Sequence, residues 1–201
     1  LTENQTASMA IETLCLATES YISQKSTFFS DMIVEKGMEL LGYALDGSPT
    51  LTITTPAEVL LTQGGCMASL ASSMSAPGCA TLLAQTINAR CRISRSLVSS
   101  ILYPYIIEDA AKFKADKIAK LSKILRAAPE EATQEEAVSG LTEYVRQKLA
   151  QNNLPARLKD LSITIDQLAL CAEDAGELDL INMLPRSMTS DDLFDLLKLA
   201  F

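Results

Sequence analysis

The sequence predicts an all-helical protein, a multi-helix bundle, and three observations across its 201 residues lead to that fold class. Apolar residues recur three and four positions apart along most of the chain, as on the buried face of a helix. Threonines followed three positions later by an acidic or amide residue, a helix-start signal, occur repeatedly. No segment shows convincing strand alternation. We therefore expect one helical domain over residues 1–201, with a division into two subdomains near residue 128 as the alternative.

Two predicted helices and a break precede residue 55. Apolar spacing predicts helices over residues 6–22 and 30–44. The Asp-Gly-Ser-Pro sequence of residues 46–49 ends the second of them. Residues 51–54 then alternate between apolar residues and threonine, which allows a short strand.

A strong helix start follows this break. Thr55 is expected to cap the third helix, Pro56 to occupy its first position, and Glu58 to complete a capping box. The helix should run to about residue 74. Its small residues between 64 and 72 favour close packing by a neighbouring helix over ligand binding.

Five further helices are predicted in the rest of the chain. They cover residues 79–91, 94–127, 133 to about 151–153, 164–175 and 189 onward. Pro104 should kink or divide the second of these five, because proline removes a backbone hydrogen bond from a helix. Capping boxes start the last three.

The chain carries 17 basic and 25 acidic residues, for a net charge of −8. Such a charge repels nucleic-acid backbones, so nucleic acid is not expected as a partner. Five lysines between residues 112 and 123 stand at helical spacing among apolar residues. We interpret them as a solvated helix face.

Cysteine usage and hydropathy predict a cytoplasmic protein without membrane contact. The chain has five cysteines, an odd number, and no two of them are spaced as a CxxC pair. This is expected for free thiols in a reducing compartment. Residues 1–23 show no signal-peptide pattern. The most apolar stretch, 97–107, is far shorter than the roughly 20 residues that a membrane helix requires. The chain does not begin with Met, which allows it to be a fragment of a longer protein.

The sequence contains no histidine, which removes the usual general base and the commonest metal ligand. Ser–His and Cys–His catalytic pairs are therefore excluded, and serines such as Ser96 are interpreted as packing or capping residues. No glycine-rich dinucleotide or phosphate loop is recognisable, since Gly64 and Gly65 lie within a helical pattern. No cofactor-binding residues are predicted in this chain.

Five sequence blocks, in order along the whole chain, are similar to segments of a single known family. LPARLKDL at residues 154–161 and NMLPRSMT at 182–189 are the most specific, and ILYPYIIE at 101–108 is a third. Near the start, ESYIS at 19–23 and FSD at 29–31 add two more. Together these blocks resemble the C-terminal helical domain of the iron-containing alcohol dehydrogenases, a dehydroquinate synthase-like family.

The resemblance implies an oxidoreductase in which two domains share the chemistry. In that family an N-terminal α/β domain binds NAD(P), and the helical domain holds one iron or zinc ion that polarises the alcohol oxygen for hydride transfer. The dinucleotide-binding domain is not present in this chain. We therefore expect as partner either an N-terminal dinucleotide-binding domain or a homologous subunit. Family members often form homodimers.

The resemblance also implies four metal ligands, an aspartate and three histidines, and this sequence replaces all of them. Glu12 stands at the aspartate position and Leu16 at the first histidine. Thr81 and Arg95 stand at the other two, and Gln85 stands where the family often has a further histidine near the substrate. No catalytic or metal-binding residue is therefore predicted. Glu12, Gln85 and Arg95 are candidates for lining the substrate cleft.

Three interpretations follow from this replacement. In the first, the domain is a degenerate family member that is not catalytic on its own. Arg95 then takes the place of the cation and pairs with Glu12 through a charge-assisted hydrogen bond, unless Arg95 is simply a surface residue. In the second, an oxidoreductase uses a remodelled metal site made of Glu12, Cys15, Cys79 and Cys91. In the third, the domain is a binding or scaffold module for another protein.

Overall fold

The computed structural model describes all 201 residues and contains helices but no strand. This confirms the predicted all-α fold class. The α-helices are α1 (Glu3–Ile22), α2 (Phe28–Asp46), α3 (Ala57–Met74), α4 (Cys79–Cys91), α5 (Arg95–Ile124), α6 (Gln134–Gln151), α7 (Ile165–Gly176) and α8 (Ser190–Leu199). Two short 3₁₀ segments cover Leu158–Leu161 and Asp179–Met183. No helix among them combines the length and apolarity that crossing a membrane requires.

Capping boxes begin five of the eight α-helices, at Thr2, Thr27, Thr133, Thr164 and Thr189. At α6, the Thr133 backbone N–H donates to Glu136 Oε2 at 2.8 Å, and the Glu136 N–H donates to Thr133 Oγ1 at 3.3 Å. Each box satisfies backbone donors that the first helical turn leaves free, which stabilises the helix by about 1 kcal/mol. The predicted helix starts at Thr133, Thr164 and Thr189 are confirmed.

The start of α3 differs from its prediction. Pro56, rather than Thr55, is the residue that precedes the first helical turn, and no side chain caps this helix. Because Pro56 keeps an extended ψ of 144°, the helix begins one residue later than predicted and Thr55 lies outside the capping position. Residues 51–54 do not form a strand, since the fold offers no second strand to pair with them.

Helix α5 continues through Pro104, and its kink lies ten residues later than predicted. Its one departure from helical geometry is at Lys114, where φ is −139° and ψ is 35°. Pro104 is buried next to Tyr103, whose hydroxyl lies 2.7 Å from Thr18 Oγ1 of α1. The backbone hydrogen bond that Pro104 cannot make therefore does not divide the helix at this buried position.

Lys117 of α5 binds the turn between α1 and α2. Its Nζ donates to three oxygens: the Tyr21 carbonyl at 2.7 Å, Asp31 Oδ2 at 2.8 Å and Ser26 Oγ at 2.9 Å. The ammonium also lies 4.5 Å from the centre of the Tyr21 ring, a cation–π distance. The interpretation of the lysine stretch as a solvated face is therefore wrong for Lys117, because spacing along α5 does not reveal what packs against it.

One hydrophobic core includes residues from all eight helices. Helix α1 is central to it, with eleven of its twenty residues buried and contacts to α2, α3, α4, α5 and α6. The core continues across residue 128, with Leu125 before it and Leu141 after it. The single-domain arrangement and its alternative division near residue 128 stay predictions.

Helices α2 and α3 approach closely because small residues line their contact. A Cβ added at Gly64 would come within 2.6 Å of Leu41 Cγ, and one added at Gly37 would lie 3.1 Å from Met67 Cβ. A Cβ added at Gly65, by contrast, would meet nothing within 4 Å. Some of the small residues of α3 therefore form a tight packing surface, in agreement with the sequence-based interpretation.

Candidate functional site

A buried carboxylate at the N-terminus of α4 is the central feature of the site. Glu19 of α1 is only 1% exposed. Its Oε1 accepts from the backbone N–H groups of Ala80 at 2.7 Å and Thr81 at 3.3 Å, and its Oε2 accepts from Thr81 Oγ1 at 2.6 Å. Gly78 leaves room for this carboxylate, since a Cβ there would lie 2.7 Å from Glu19 Oε1. The positive end of α4 thus faces a carboxylate from α1.

Burial controls the ionisation of this site. It raises the pKa of Glu19, against the opposing effect of the Thr81 hydroxyl and the backbone N–H groups of α4. Burial also raises the pKa of the Cys15 and Cys79 thiols, and the charge of Glu19 raises both further. Both cysteines are therefore protonated at neutral pH, and a protonated thiol is neither a good nucleophile nor a metal ligand.

The four positions that match the family's metal ligands lie on three neighbouring helices. Glu12 and Leu16 are about one turn apart on α1, Thr81 is in the first turn of α4, and Arg95 is the first residue of α5. Thr81 reaches α1 through its hydroxyl bond to Glu19. The positive charge of Arg95 acts on Glu12. The structure therefore brings Thr81 to Glu19, and Arg95 to the vicinity of Glu12.

Glu12 and Arg95 do not form the hydrogen-bonded pair that their positions suggested. None of the ion pairs of the structure joins them. Burial raises the pKa of Glu12, and the charge of Arg95 only partly opposes that rise. Arg95 is exposed at its helix terminus, where hydration competes with pairing, so it is a surface residue. Gln85, one turn after Thr81 on α4, is exposed as well.

The carboxylate and thiols predicted to form a remodelled metal site do not make one cluster. No group of three or more His, Cys, Asp or Glu side chains is arranged to hold a metal ion. Cys15 and Cys79 are buried in the core, whereas Cys91 is partly exposed. Cys79 and Cys91 are the first and last residues of α4, so about 18 Å of helix separates them.

A row of serines joins α1 to the start of α5, beside Arg95. Ser96 Oγ lies 3.1 Å from Ser8 Oγ and 2.9 Å from Ser94 Oγ. Ser100 Oγ donates to the carbonyl oxygens of Ser96 at 2.6 Å and Ser8 at 3.1 Å. These hydroxyls are engaged within the seam, so the serines have the packing role that the sequence predicted.

A groove of ≈ 380 Å³ runs between α1 and α3. Met9 lines it from α1 and Leu61 lines it from α3. Glu12, Gln85 and Arg95 are not part of its lining. The role of these three residues in a substrate cleft stays a prediction.

Comparison with known proteins places this fold in a family. Residues 6–201 match the model of the Fe-containing alcohol dehydrogenase family, C-terminal. The chain belongs to this family. Lactaldehyde reductase from Escherichia coli K12 is 23% identical to it over 195 residues, which cover 97% of this chain and 50% of the reductase. This member of the Fe-containing alcohol dehydrogenase family thus spans about half the length of the curated relatives it matches.

Solved structures of similar fold agree with the predicted helical C-terminal half. An alcohol dehydrogenase from Oenococcus oeni has a TM-score of 0.88 at 17% identity, covering 100% of this chain and 52% of its own. A 1,3-propanediol oxidoreductase has a TM-score of 0.87 at 16% identity, covering 97% of this chain and 51% of its own. At these identities the likeness establishes the fold of the helical half.

Proposed function

We propose that this chain is the helical domain of an Fe-containing alcohol dehydrogenase-like protein with a degenerate metal site, and that it is not catalytic on its own. The observation that carries the proposal is the absence of histidine from a chain that matches the family's C-terminal model over residues 6–201. Three of the four ligands implied by the resemblance are histidines. Because the chain contains none, a shift in alignment cannot restore them.

The residues at the matching positions do not fit an iron or zinc ion. Such ions take imidazole, thiolate or carboxylate ligands. Leu16 offers no donor atom, and the hydroxyl of Thr81 already donates to Glu19. Arg95 places a positive charge near Glu12, which repels a cation. Glu12 is the one carboxylate left at these positions, and a single ligand is too few for a stable metal site.

Any NAD(P) chemistry of the natural protein would belong to a dinucleotide-binding domain outside these residues. The proposal includes such a domain as a partner, either upstream in a longer chain or in a homologous subunit. Its support is that this chain spans half of lactaldehyde reductase. Homodimerisation and a cytoplasmic location complete the proposal, the latter because all five cysteines are free.

A binding or scaffold module is the second candidate function, and an exposed apolar surface favours it. Phe28, Phe29 and Met32 of α2 have 82, 57 and 48% of their surface exposed. Residues three and four apart lie on one side of a helix, so these three form one patch. Exposed apolar patches often mark contacts with other proteins. Saturable binding of a protein partner without turnover would distinguish this function from a working oxidoreductase.

Metal content is the measurement that tests the first proposal. We expect the chain, purified without chelator and then loaded with ferrous iron or zinc, to retain almost no metal in elemental analysis. The matched variant Glu12→Asp/Leu16→His/Thr81→His/Arg95→His restores the implied ligand set. It should retain about one zinc ion per chain, because these positions would again offer four suitable donors.

A second variant controls for histidines that bind metal nonspecifically. Glu131→His/Lys159→His/Glu173→His places three imidazoles at exposed positions on separate segments, and it should retain no more metal than the natural sequence. One metal ion per chain in the natural sequence would overturn the proposal and return attention to an active dehydrogenase.

A further inference from the structure

The outer face of α2, formed by residues 28, 32, 35, 36, 39 and 43, points away from the core. These positions follow one another at intervals of one to four residues on one side of the helix, opposite the buried Val34 and Met38. The first end of this face is apolar and open, since Phe28 has 82% and Met32 has 48% of its surface exposed. The outer face therefore begins with aromatic and thioether side chains that no other part of the chain covers.

The other end of the outer face borders a groove. The groove has a volume of ≈ 520 Å³ and lies between the second half of α2 and the end of α5. Tyr43 lines it from α2 and Ile124 lines it from α5. The Arg126 guanidinium lies over the Tyr43 ring, 4.7 Å from its centre. A projecting aromatic side chain at Phe28 and a groove with an aromatic wall at Tyr43 are thus about 22 Å apart along one helix.

This face is complementary to itself when two copies of α2 run antiparallel about a two-fold axis. In such an arrangement every contact occurs twice, with the roles of the two chains exchanged. The register that places Phe28 of one copy opposite Tyr43 of the other also places Glu35 opposite Lys36. Opposite charges therefore meet at the centre of the contact, and an aromatic side chain meets the groove at both ends.

We propose that two copies of this chain dimerise through the outer face of α2, with Phe28 of each copy in the groove of the other. The proposal rests on the homodimerisation included in the proposed function and assigns it a surface. Phe28 would lose its exposure and pack against Tyr43 as an aromatic pair. Lys36 is available to Glu35 of the other copy, because its present ion pair with Glu39 joins side chains that are 54 and 35% exposed and contributes little.

The size of the outer face determines the expected strength of the dimer. A strip about 22 Å long and about 10 Å wide is smaller than the roughly 800 Å² that each partner buries in a standard interface. We therefore expect a reversible dimer whose population depends on concentration between about 1 µM and about 1 mM. At physiological ionic strength, salt screens the repulsion between two chains of net charge −8.

Sedimentation velocity over this concentration range tests the proposal. Dithiothreitol is present throughout, so that the exposed Cys66 does not link chains covalently. The natural chain should shift from monomer to dimer as its concentration rises. Phe28→Glu should raise the dissociation constant at least about tenfold, because a charge would enter the groove. Leu199→Glu is the matched control: Leu199 is 68% exposed on α8, and its replacement should leave the dissociation constant unchanged.

A pair of charge reversals tests the antiparallel register. Lys36→Glu and Glu35→Lys should each weaken association of the variant with itself, since like charges would then face each other at the axis. An equimolar mixture of the two variants should associate again, because each chain then offers the charge that the other lacks. Glu35 also accepts hydrogen bonds from Tyr21 and Lys120, and association in the mixture would show that its replacement leaves the face folded.

Three outcomes would contradict the proposal. A chain that stays monomeric up to about 1 mM would remove homodimerisation and leave the patch to a different partner. A dimer that Phe28→Glu does not weaken would keep homodimerisation but place it on another surface. A mixture of the charge variants that does not associate would exclude this register. None of these outcomes changes the metal content, so the degenerate metal site is tested separately.

Discussion

Two opposing effects act on the ionisation of the Glu19 carboxylate. Its oxygens accept three hydrogen bonds at the N-terminus of α4, and these favour the charged form. Its burial favours the neutral form, and the net result is a raised pKa. The folded protein therefore holds a proton on Glu19 more tightly than the unfolded chain does, which makes its contribution to stability depend on pH.

The replacement Glu19→Gln should expose this pH dependence. Glutamine can still accept hydrogen bonds from the α4 N–H groups but does not ionise. Relative to the variant, the natural chain should be most stable below the ordinary glutamate pKa near 4.5 and should lose that advantage as pH rises through the raised pKa of the folded state. Urea unfolding at a series of pH values measures the difference. A difference that does not change with pH would contradict the raised pKa.

At the scale of single residues, the amino-acid composition predicted more about the site than the positions of individual residues did. The absence of histidine was evident from the sequence and does not depend on the fold. The sequence placed Thr81 at a family ligand position, but it did not show that Thr81 donates to Glu19. It suggested a pair between Glu12 and Arg95, which the structure does not form. Contacts of this kind depend on how α1, α4 and α5 are oriented, and sequence spacing within one helix carries no such information.

The contact between α2 and α3 depends on Gly64 and not on the neighbouring Gly65. Gly64 faces Leu41, whereas Gly65 faces open space. Both are inside α3 and neither has a positive φ, so both share the same cost of glycine in a helix. The two positions therefore differ mainly in packing.

Alanine at these two glycines should have different effects on stability. Gly65→Ala should stabilise the chain by up to about 1 kcal/mol, the usual difference in helix propensity. Gly64→Ala should be about 1–3 kcal/mol less stable than Gly65→Ala, because its Cβ would lie 2.6 Å from Leu41 Cγ. Chemical unfolding of both variants measures the difference. Equal stability of the two would mean that α2 and α3 can separate without cost.

For whole elements, local signals predicted helix starts better than breaks. The capping boxes at Thr133 and Thr189 each act within four residues, so they could be recognised without the fold. Pro104 was expected to kink or divide α5, but the kink of this helix lies at Lys114. No proline or glycine lies next to Lys114, so the sequence did not predict a departure from helical geometry there.

Across the whole molecule, Lys117 connects segments far apart in the chain. It holds the turn between α1 and α2 against the second half of α5 through its bonds to Tyr21, Ser26 and Asp31. Asp31 Oδ1 is buried without a hydrogen-bond partner, so this carboxylate depends on Lys117 for compensation. Loss of the ammonium would leave a largely enclosed charge unpaired.

The variant Lys117→Met should therefore lower the free energy of unfolding by about 2–3 kcal/mol. Lys112→Met is the matched control. Lys112 pairs with an aspartate as well, Asp109 of the same helix, but its side chain is 75% exposed. That control should change stability by less than about 0.5 kcal/mol. Thermal and urea unfolding compare the two. Similar small effects would show that the turn is held by apolar contacts alone.

By itself, the sequence determined the all-helical class, the capped starts of α6, α7 and α8, and the absence of imidazole from every possible site. These properties depend on residue type or on neighbours within one helical turn. Only the tertiary structure decided that Glu19 is buried against α4, that Arg95 stays unpaired and that Lys117 binds the turn between α1 and α2. Each of those contacts, made or missed, joins residues more than sixty positions apart, so it depends on how helices pack against one another rather than on any local pattern.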